Sequence, residues 1–284
     1  MNHAETLADA VGRNVRDALA EDLGSGDLTA ALVAADAVAG AQILAREACV
    51  VAGQPWVDEV FRQLDESIVV DWYIHDGESA DSGDVVCKLV GPAAALLSGE
   101  RTALNFLQTL SATATTTARY VDAVAATNAT LLDTRKTLPG LRTAQKYAVT
   151  LGGAENHRHG LFDAILIKEN HIKSAGSLSA ALSAAMAAHD DVLVEIEVES
   201  LAEFREALDV GARRVLLDNF SLADLAEAVS INKACGQAAE LEASGNVSLE
   251  TIRPIADTGV DYISTGALTK NISAIDLSML FSIG

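Results

Sequence analysis

Between Asp133 and Lys173 the chain carries seven Lys or Arg (135, 136, 142, 146, 158, 168 and 173) against four acids (133, 155, 163 and 169). Three of its six histidines, 157, 159 and 171, lie there too. The segment is therefore +3 in a protein of net charge −20, which leaves −23 on the remainder. A basic island in an acidic chain suits recognition of a small polyanion, because Arg presents paired donors to carboxylates and phosphates and Lys a compact charge. Arg135, Lys136 and Lys168 directly follow or end apolar runs, where side chains turn inward and an unpaired charge is costly. They are expected to face a ligand; a basic surface patch is the plainer alternative.

The acids that could complete such a site come later. Glu197 and Asp218 end successive apolar runs, so their carboxylates should be neighbours. They could hold Mg²⁺ together with ligand phosphates, although a charge-balanced interior would explain them as well. Alternation puts Glu195 and Glu197 on one face, leaving one for a ligand and the other for a salt bridge to Lys168 or Arg158. Ser244-Gly245-Asn246 and Gly266-Ala267 are small residues at the ends of the last two runs. There backbone N–H groups can approach a phosphate closely.

These residues need elements to position them. Six near-continuous apolar runs, 129–133, 164–168, 192–198, 214–218, 238–242 and 261–265, read as strands buried on both faces. Ser177, Ser200, Ser221 and Ser248, each followed by Leu, are placed as helix N-caps, with Glu203 completing a capping box after Ser200. Gly211, Gly236 and Gly259 stand where helices end. The alternation predicts an α/β fold with an incomplete (β/α) barrel, whose chemistry-bearing residues gather at the C-terminal strand ends.

The first hundred residues read as a separate α/β domain. A helix over 5–20 leads into an acidic, turn-rich stretch at 21–29. Strands follow at 42–51, 68–74 and 84–89, with a helix at 57–64. Two helices, 92–110 and 112–126, join it to the barrel. The expected division is 1–111 and 112–270, with the tail 271–284 folding back on the first domain.

The 284 residues are 50% hydrophobic and 21% charged, enough for a packed core and incompatible with disorder. A charge of −20 argues against nucleic acid and anionic membranes as partners. Apolar runs fall short of the roughly 20 residues that span a bilayer, and Met1–Glu5 has no basic leader. Cys49, Cys87 and Cys235 form no metal spacing and read as reduced thiols, so a cytoplasmic protein is expected.

Asp133-Thr134-Arg135-Lys136-Thr137-Leu138-Pro139-Gly140-Leu141-Arg142, Lys146-Tyr147-Ala148-Val149, Gly152-Gly153-Ala154-Glu155-Asn156-His157-Arg158 and Ile167-Lys168-Glu169-Asn170-His171 resemble the quinolinate phosphoribosyltransferases. The resemblance extends to Glu21-Asp22-Leu23-Gly24-Ser25-Gly26-Asp27-Leu28-Thr29 and Gly99-Glu100-Arg101-Thr102-Ala103-Leu104-Asn105. It implies a type II phosphoribosyltransferase with an N-terminal α/β sandwich, an incomplete barrel, and a homodimer in which one subunit covers the other's barrel mouth. It places Arg135, Lys136, His157, Arg158, Lys168 and His171 around quinolinate. Arg101, which alone would read as a surface salt-bridge partner, is sent into the partner's site. Glu197 and Asp218 fall on metal- and ribose-facing acids, and Ser244, Gly245, Asn246, Gly266 and Ala267 on phosphate loops. Ala112, where the family usually has Gly, and His159 depart from the pattern.

The implied reaction joins quinolinate to phosphoribosyl pyrophosphate, giving nicotinate mononucleotide, CO₂ and pyrophosphate, with Lys136, Lys168, Glu197 and Asp218 as the catalytic set and Mg²⁺ as cofactor. A paralogue with another substrate, a Schiff-base aldolase using Lys168, and a phosphometabolite sensor without turnover are the alternatives.

Overall fold

The computed structural model describes residues 5–34, 36–188 and 191–283. They divide into two compact units: one holds the chain through Ala118, Leu138–Gly153 and the tail from Asn271, the other Arg119–Thr137 and Ala154–Lys270.

The first unit opens on α1 (Leu7–Leu23). The Thr6 hydroxyl accepts from the Asp9 N–H and the Asp9 carboxylate accepts from the Thr6 N–H, closing the first turn. Strands β1 (Val38–Ala45), β3 (Val69–Trp72), β5 (Val85–Pro92) and β12 (Leu277–Ile283) form an antiparallel sheet in the order β12-β1-β5-β3. The C-terminal tail is thus a strand of this sheet. A small ribbon pairs β2 (Cys49–Val50) with β4 (Ser79–Ala80). Alternation in β1 buries Ala39, Ala41, Ile43 and Ala45. That face joins one core with Trp56 and Phe61 of α2 (Gln54–Leu64) and Leu104 and Leu107 of α3 (Ala93–Val124). Each such large side chain contributes roughly 1.5–3 kcal/mol on burial.

The two helices expected on either side of residue 111 are one helix of 32 residues. No Pro or Gly separates Leu110 from Ala112, so nothing breaks the ladder. Ser111 stays helical while its hydroxyl accepts from the Ala52 N–H at 3.0 Å and donates to the Ala52 carbonyl at 3.2 Å. Ala112 is buried in the same core. Helix α4 (Arg142–Leu151) also packs in this unit, which breaks the expected continuity of 112–270. Asn14 donates to the Gly140 carbonyl at 3.0 Å, and the Tyr147 hydroxyl donates to Asp76 at 2.7 Å. Gly152 ends α4 against α3, where a Cβ would fall 2.5 Å from the Ala114 carbonyl oxygen.

The second unit carries the six expected strands: β6 (Thr130–Leu132), β7 (Ala164–Ile167), β8 (Leu193–Val198), β9 (Arg214–Asp218), β10 (Glu240–Ser244) and β11 (Tyr262–Ser264). All are parallel, in the order β6-β11-β10-β9-β8-β7. Helices α5 (Glu169–Ala175), α6 (Leu178–Ala188), α7 (Leu201–Val210), α8 (Leu222–Ala234), α9 (Ile252–Ala256) and α10 (Ala267–Lys270) alternate with them. Among the described residues β6 and β7 do not pair, so the barrel is incomplete. The segment after α4 runs along the free edge of β6: the Glu155 N–H donates to the Leu131 carbonyl and the Glu155 carbonyl accepts from the Asp133 N–H.

Ser177, Ser200 and Ser221 accept from first-turn N–H groups as expected. Glu203, however, takes the Glu199 N–H at 2.8 Å instead of closing a box on Ser200. Ser248 is not a cap: its N–H donates to the Thr251 hydroxyl and α9 starts only at Ile252.

Candidate active site

The C-terminal strand ends of the second unit enclose a cavity of about 450 Å³. Inward-pointing residues alternate along each strand. Leu166 and Lys168, Leu216 and Asp218, Glu242 and Ser244 therefore come to the lining in pairs, together with Glu197 and Ser264.

Thr134, Arg135 and Lys136, just past β6, form one wall. Their loop is pinned from both sides: the Lys136 N–H donates to the Thr134 hydroxyl at 3.0 Å, and the Thr269 hydroxyl donates to the Lys136 carbonyl at 2.9 Å. Gly266 lies beneath the Lys136 stem, and a Cβ there would stand 2.8 Å from Lys136 Cδ.

His157 and Arg158 reach the lining from the segment beside the free edge of β6. The His157 N–H donates to the fully buried Asp133 carboxylate at 2.8 Å, and Arg158 Nη1 donates to the Ala164 carbonyl of β7 at 3.2 Å. Arg158 thus ties the two unpaired strand edges together. Burial, and next the charge of Arg135, lowers the pKa of Arg158. Two guanidiniums crowd this wall, and an anion between them would relieve the repulsion.

The His157 ring is held at both nitrogens. Nδ1 accepts from the Arg158 N–H at 2.7 Å, and Nε2 lies 3.0 Å from Glu195 Oε2. Burial disfavours the imidazolium, yet the bond to Glu195 and the charges of Glu242 and Glu195 outweigh it and raise the pKa. The Nδ1 contact nevertheless fits the neutral Nε2–H tautomer, because protonating Nδ1 would break it.

Across the cavity Lys168 is ion-paired with Glu197. The sequence left open whether Glu195 or Glu197 would take the salt bridge; Glu197 takes it. Burial and then the charge of Glu197 raise the pKa of Asp218, while Lys168, Asn219 and Lys136 pull it back. At the rim Asn219 and Asn246 both adopt left-handed backbone, φ 57° and 50°, and Asn246 donates to Asn219 at 3.2 Å. Gly245 between them admits no side chain: its φ is 101°, and a Cβ would sit 2.2 Å from Asn219 Oδ1. Such strain is held where the surroundings determine it, commonly at ligand sites.

Not every expected residue joins the cavity lining. His171 is exposed, and its Nδ1 accepts from the Lys168 N–H at 2.9 Å at the start of α5, so it braces the backbone of a lining residue. Arg101 belongs to the first unit, where it is exposed and lines a separate cavity of about 430 Å³ with Arg13 and Asn105. Of the phosphate-loop residues, Ser244 lines the cavity. The Ala267 N–H is taken by the Thr265 hydroxyl at 3.1 Å. His159 sits in an exposed turn, its N–H donating to Asp163 at 2.6 Å.

The sequence did not single out Arg214, which joins Glu195 and Glu242 in a buried ionic cluster at the cavity floor. Glu195 and Glu242 are 1% and 0% exposed. Arg214 Nη2 donates to Glu242 Oε2 at 3.3 Å, Arg214 Nε lies 3.5 Å from Glu195 Oε1, and the guanidinium sits 3.9 Å from the Tyr262 ring centre. Burial, then the Glu195 charge, lifts the Glu242 pKa to about 7. Counting back by twos from Asp218 would have placed Arg214 on the inner face. Glu242 was read as a strand end, whereas β10 continues to Ser244.

Residues 27–111 match the family model for the N-terminal domain of quinolinate phosphoribosyl transferase, and residues 113–280 the model for its C-terminal domain. The chain is 42% identical over 278 residues to the nicotinate-nucleotide pyrophosphorylase [carboxylating] of Mycobacterium leprae, spanning 95% of this chain and 97% of that protein. It is 40% identical over 287 residues to quinolinate phosphoribosyltransferase [decarboxylating] 1b of Nicotiana tabacum, at coverages of 92% and 79%. The solved nicotinate-nucleotide pyrophosphorylase of Francisella tularensis superposes with a TM-score of 0.94 at 45% identity, covering 99% of this chain and all of that one.

Proposed function

The chain belongs to the quinolinate phosphoribosyltransferase family, and we propose that the cavity at the barrel strand ends is where it acts on quinolinate. The enzyme transfers phosphoribosyl from phosphoribosyl pyrophosphate to N1 of quinolinate with decarboxylation, yielding nicotinate mononucleotide, CO₂ and pyrophosphate in de novo NAD biosynthesis. The observation that carries the site assignment is the convergence of Arg135, the half-buried Arg158 and Lys168 on one cavity. Clustered guanidiniums suit a substrate with two adjacent carboxylates.

Ribosyl transfer passes through an oxocarbenium-like transition state, as in glycoside cleavage, and needs no protein nucleophile. Glu197 and Asp218 stabilise the developing positive charge, and Lys136 and Lys168 face the anionic groups. Ser244 and the loop through Gly245 and Asn246, with Gly266 and Ala267, receive the 5′-phosphate. Once N1 is alkylated, the positive ring nitrogen stabilises the electron pair left on C2 as the 2-carboxylate leaves as CO₂, and a proton taken up at C2 completes nicotinate mononucleotide.

The carboxylates of Glu197 and Asp218 fit Mg²⁺: both border the cavity, and the Asp218 pKa is raised first by burial and then by the Glu197 charge, a repulsion that a divalent cation would relieve. Bound there, Mg²⁺ would offset the charge of the departing pyrophosphate.

We further propose a homodimer in which the partner subunit supplies an arginine at position 101, supported by the exposure of Arg101 in its own chain. A cytoplasmic location is supported by three free thiols. Among the described residues no helix is long and apolar enough to cross a membrane.

The test is pyrophosphate release by the purified chain. Release should require quinolinate, phosphoribosyl pyrophosphate and Mg²⁺ together. Equal release with nicotinate in place of quinolinate would assign another phosphoribosyltransferase activity to this cavity.

A further inference from the structure

Glu242 lines the floor of the cavity and Glu195 shares His157 and Arg214 with it, both carboxylates almost wholly buried. Two carboxylates so placed would project a negative potential upward into a cavity built for a dicarboxylate, through surroundings that screen it poorly. His157, also in the cavity lining, faces both, its Nε2 3.0 Å from Glu195 and 3.6 Å from Glu242. In its neutral tautomer it adds no compensating charge. Arg214 adds one, reaching Glu242 at 3.3 Å and Glu195 at 3.5 Å from beneath the Tyr262 ring. A weakly hydrated, planar guanidinium suits that stacked position better than an ammonium would. The ligand atoms of His157, Glu195 and Glu242 lie within 4.8 Å of one another, close enough for a metal ion, but the guanidinium already stands against both carboxylates.

We propose that Arg214 is a positioning residue for quinolinate binding: it balances the Glu195–Glu242 pair so that the dicarboxylate is not repelled from below, and it keeps both carboxylates aligned on His157. The proposal rests on quinolinate occupying this cavity. Above pH 7, where Glu242 is ionised, and with His157 neutral, the four side chains carry one net negative charge. Arg214→Met makes it two, Glu242→Gln removes it, and the double variant restores one.

The experiment measures quinolinate affinity at pH 8, above the Glu242 pKa of about 7, by titration calorimetry on the full chain without phosphoribosyl pyrophosphate, with thermal melting as the check on folding. Arg214→Met should weaken quinolinate binding by about tenfold or more. The KM for phosphoribosyl pyrophosphate should change less, and Arg214→Lys should fall between wild type and Arg214→Met. The double variant Arg214→Met/Glu242→Gln should recover most of the loss, which a merely structural role for Arg214 would not produce. Wild-type affinity in folded Arg214→Met overturns the proposal, as does a folded double variant that binds no better than Arg214→Met. If Arg214→Met does not fold, Glu242→Gln alone decides: tighter binding supports the proposal, and unchanged or weaker binding overturns it. A wild-type chain that does not bind quinolinate overturns the substrate assignment, and the proposal falls with it.

Discussion

Lys168 and Glu197, at the ends of adjacent parallel strands, form an ion pair on the wall of the strand-end cavity. The pair holds the lysine across the cavity and ties its position to the acid proposed to face the ribose. Lys168→Met and Glu197→Gln should each lower kcat/KM by about 100-fold, the scale of losing one charge-assisted or electrostatic contact at a reacting centre. The double variant should lose less than the product of the two, because each single change already breaks the pair. Steady-state kinetics on the three variants test this; strictly multiplicative losses would mean that the two side chains act independently.

Arg158 does two things: it faces the cavity, and it donates to the Ala164 carbonyl. Replacing it with Lys keeps the charge and removes the paired donor geometry. A loss of about 2–3 kcal/mol, roughly a 30- to 150-fold rise, is expected in the KM for quinolinate. The KM for phosphoribosyl pyrophosphate should move little. If both rise together, the Ala164 contact is the more important of the two.

Glu242 links the site to stability. Its pKa is raised to about 7, first by burial and then by the Glu195 charge, against an ordinary value of 4.5. The folded state therefore holds a proton that the unfolded state gives up, so this group's contribution is full below pH 4.5 and lost as pH rises to about 7. The loss is on the order of 3 kcal/mol. Glu242→Gln has no such proton to lose. Its stability relative to wild type, measured by urea unfolding, should improve progressively between pH 4.5 and 7 and then level off. A pH-independent difference would place the Glu242 pKa near its ordinary value.

The proposed sharing of Arg101 across a homodimer can be tested directly. An Arg101→Ala chain and a Lys136→Ala chain should each be nearly inactive. Mixed and allowed to exchange subunits, they should regain activity, up to about a quarter of wild type, since a random mixture is half heterodimer and each heterodimer holds one intact site. No recovery, with exchange verified by mass, would leave Arg101 a residue of its own subunit only.

The barrel was visible in the sequence because strands buried on both faces leave continuous apolar runs, and polar residues can follow them only at an open end. Arg135, Lys136, Lys168, Glu197 and Asp218 stood out for that reason. Arg214 did not, because a charge that opens a strand has no end-of-run signature, and only strict alternation from Asp218 would have turned it inward; Glu242 stood out as a strand end, although β10 continues to Ser244. The break expected at residue 111 came from composition. An Ala- and Thr-rich stretch carries no propensity signal that distinguishes one long helix from two, and the buried Ser111 contact with Ala52 is tertiary. His171 illustrates a different limit. Its place in the Lys-Glu-Asn-His motif shows that it matters, but not that its ring serves the Lys168 backbone at the start of α5.

The most direct measurement follows quinolinate labelled in its 2-carboxyl carbon through one turnover with the purified chain, Mg²⁺ and phosphoribosyl pyrophosphate. One labelled CO₂ should be released for each pyrophosphate and each nicotinate mononucleotide formed, and none when phosphoribosyl pyrophosphate is omitted. Pyrophosphate release without labelled CO₂, or no turnover by a folded chain that binds both substrates, would contradict the assignment of this cavity to decarboxylating phosphoribosyl transfer.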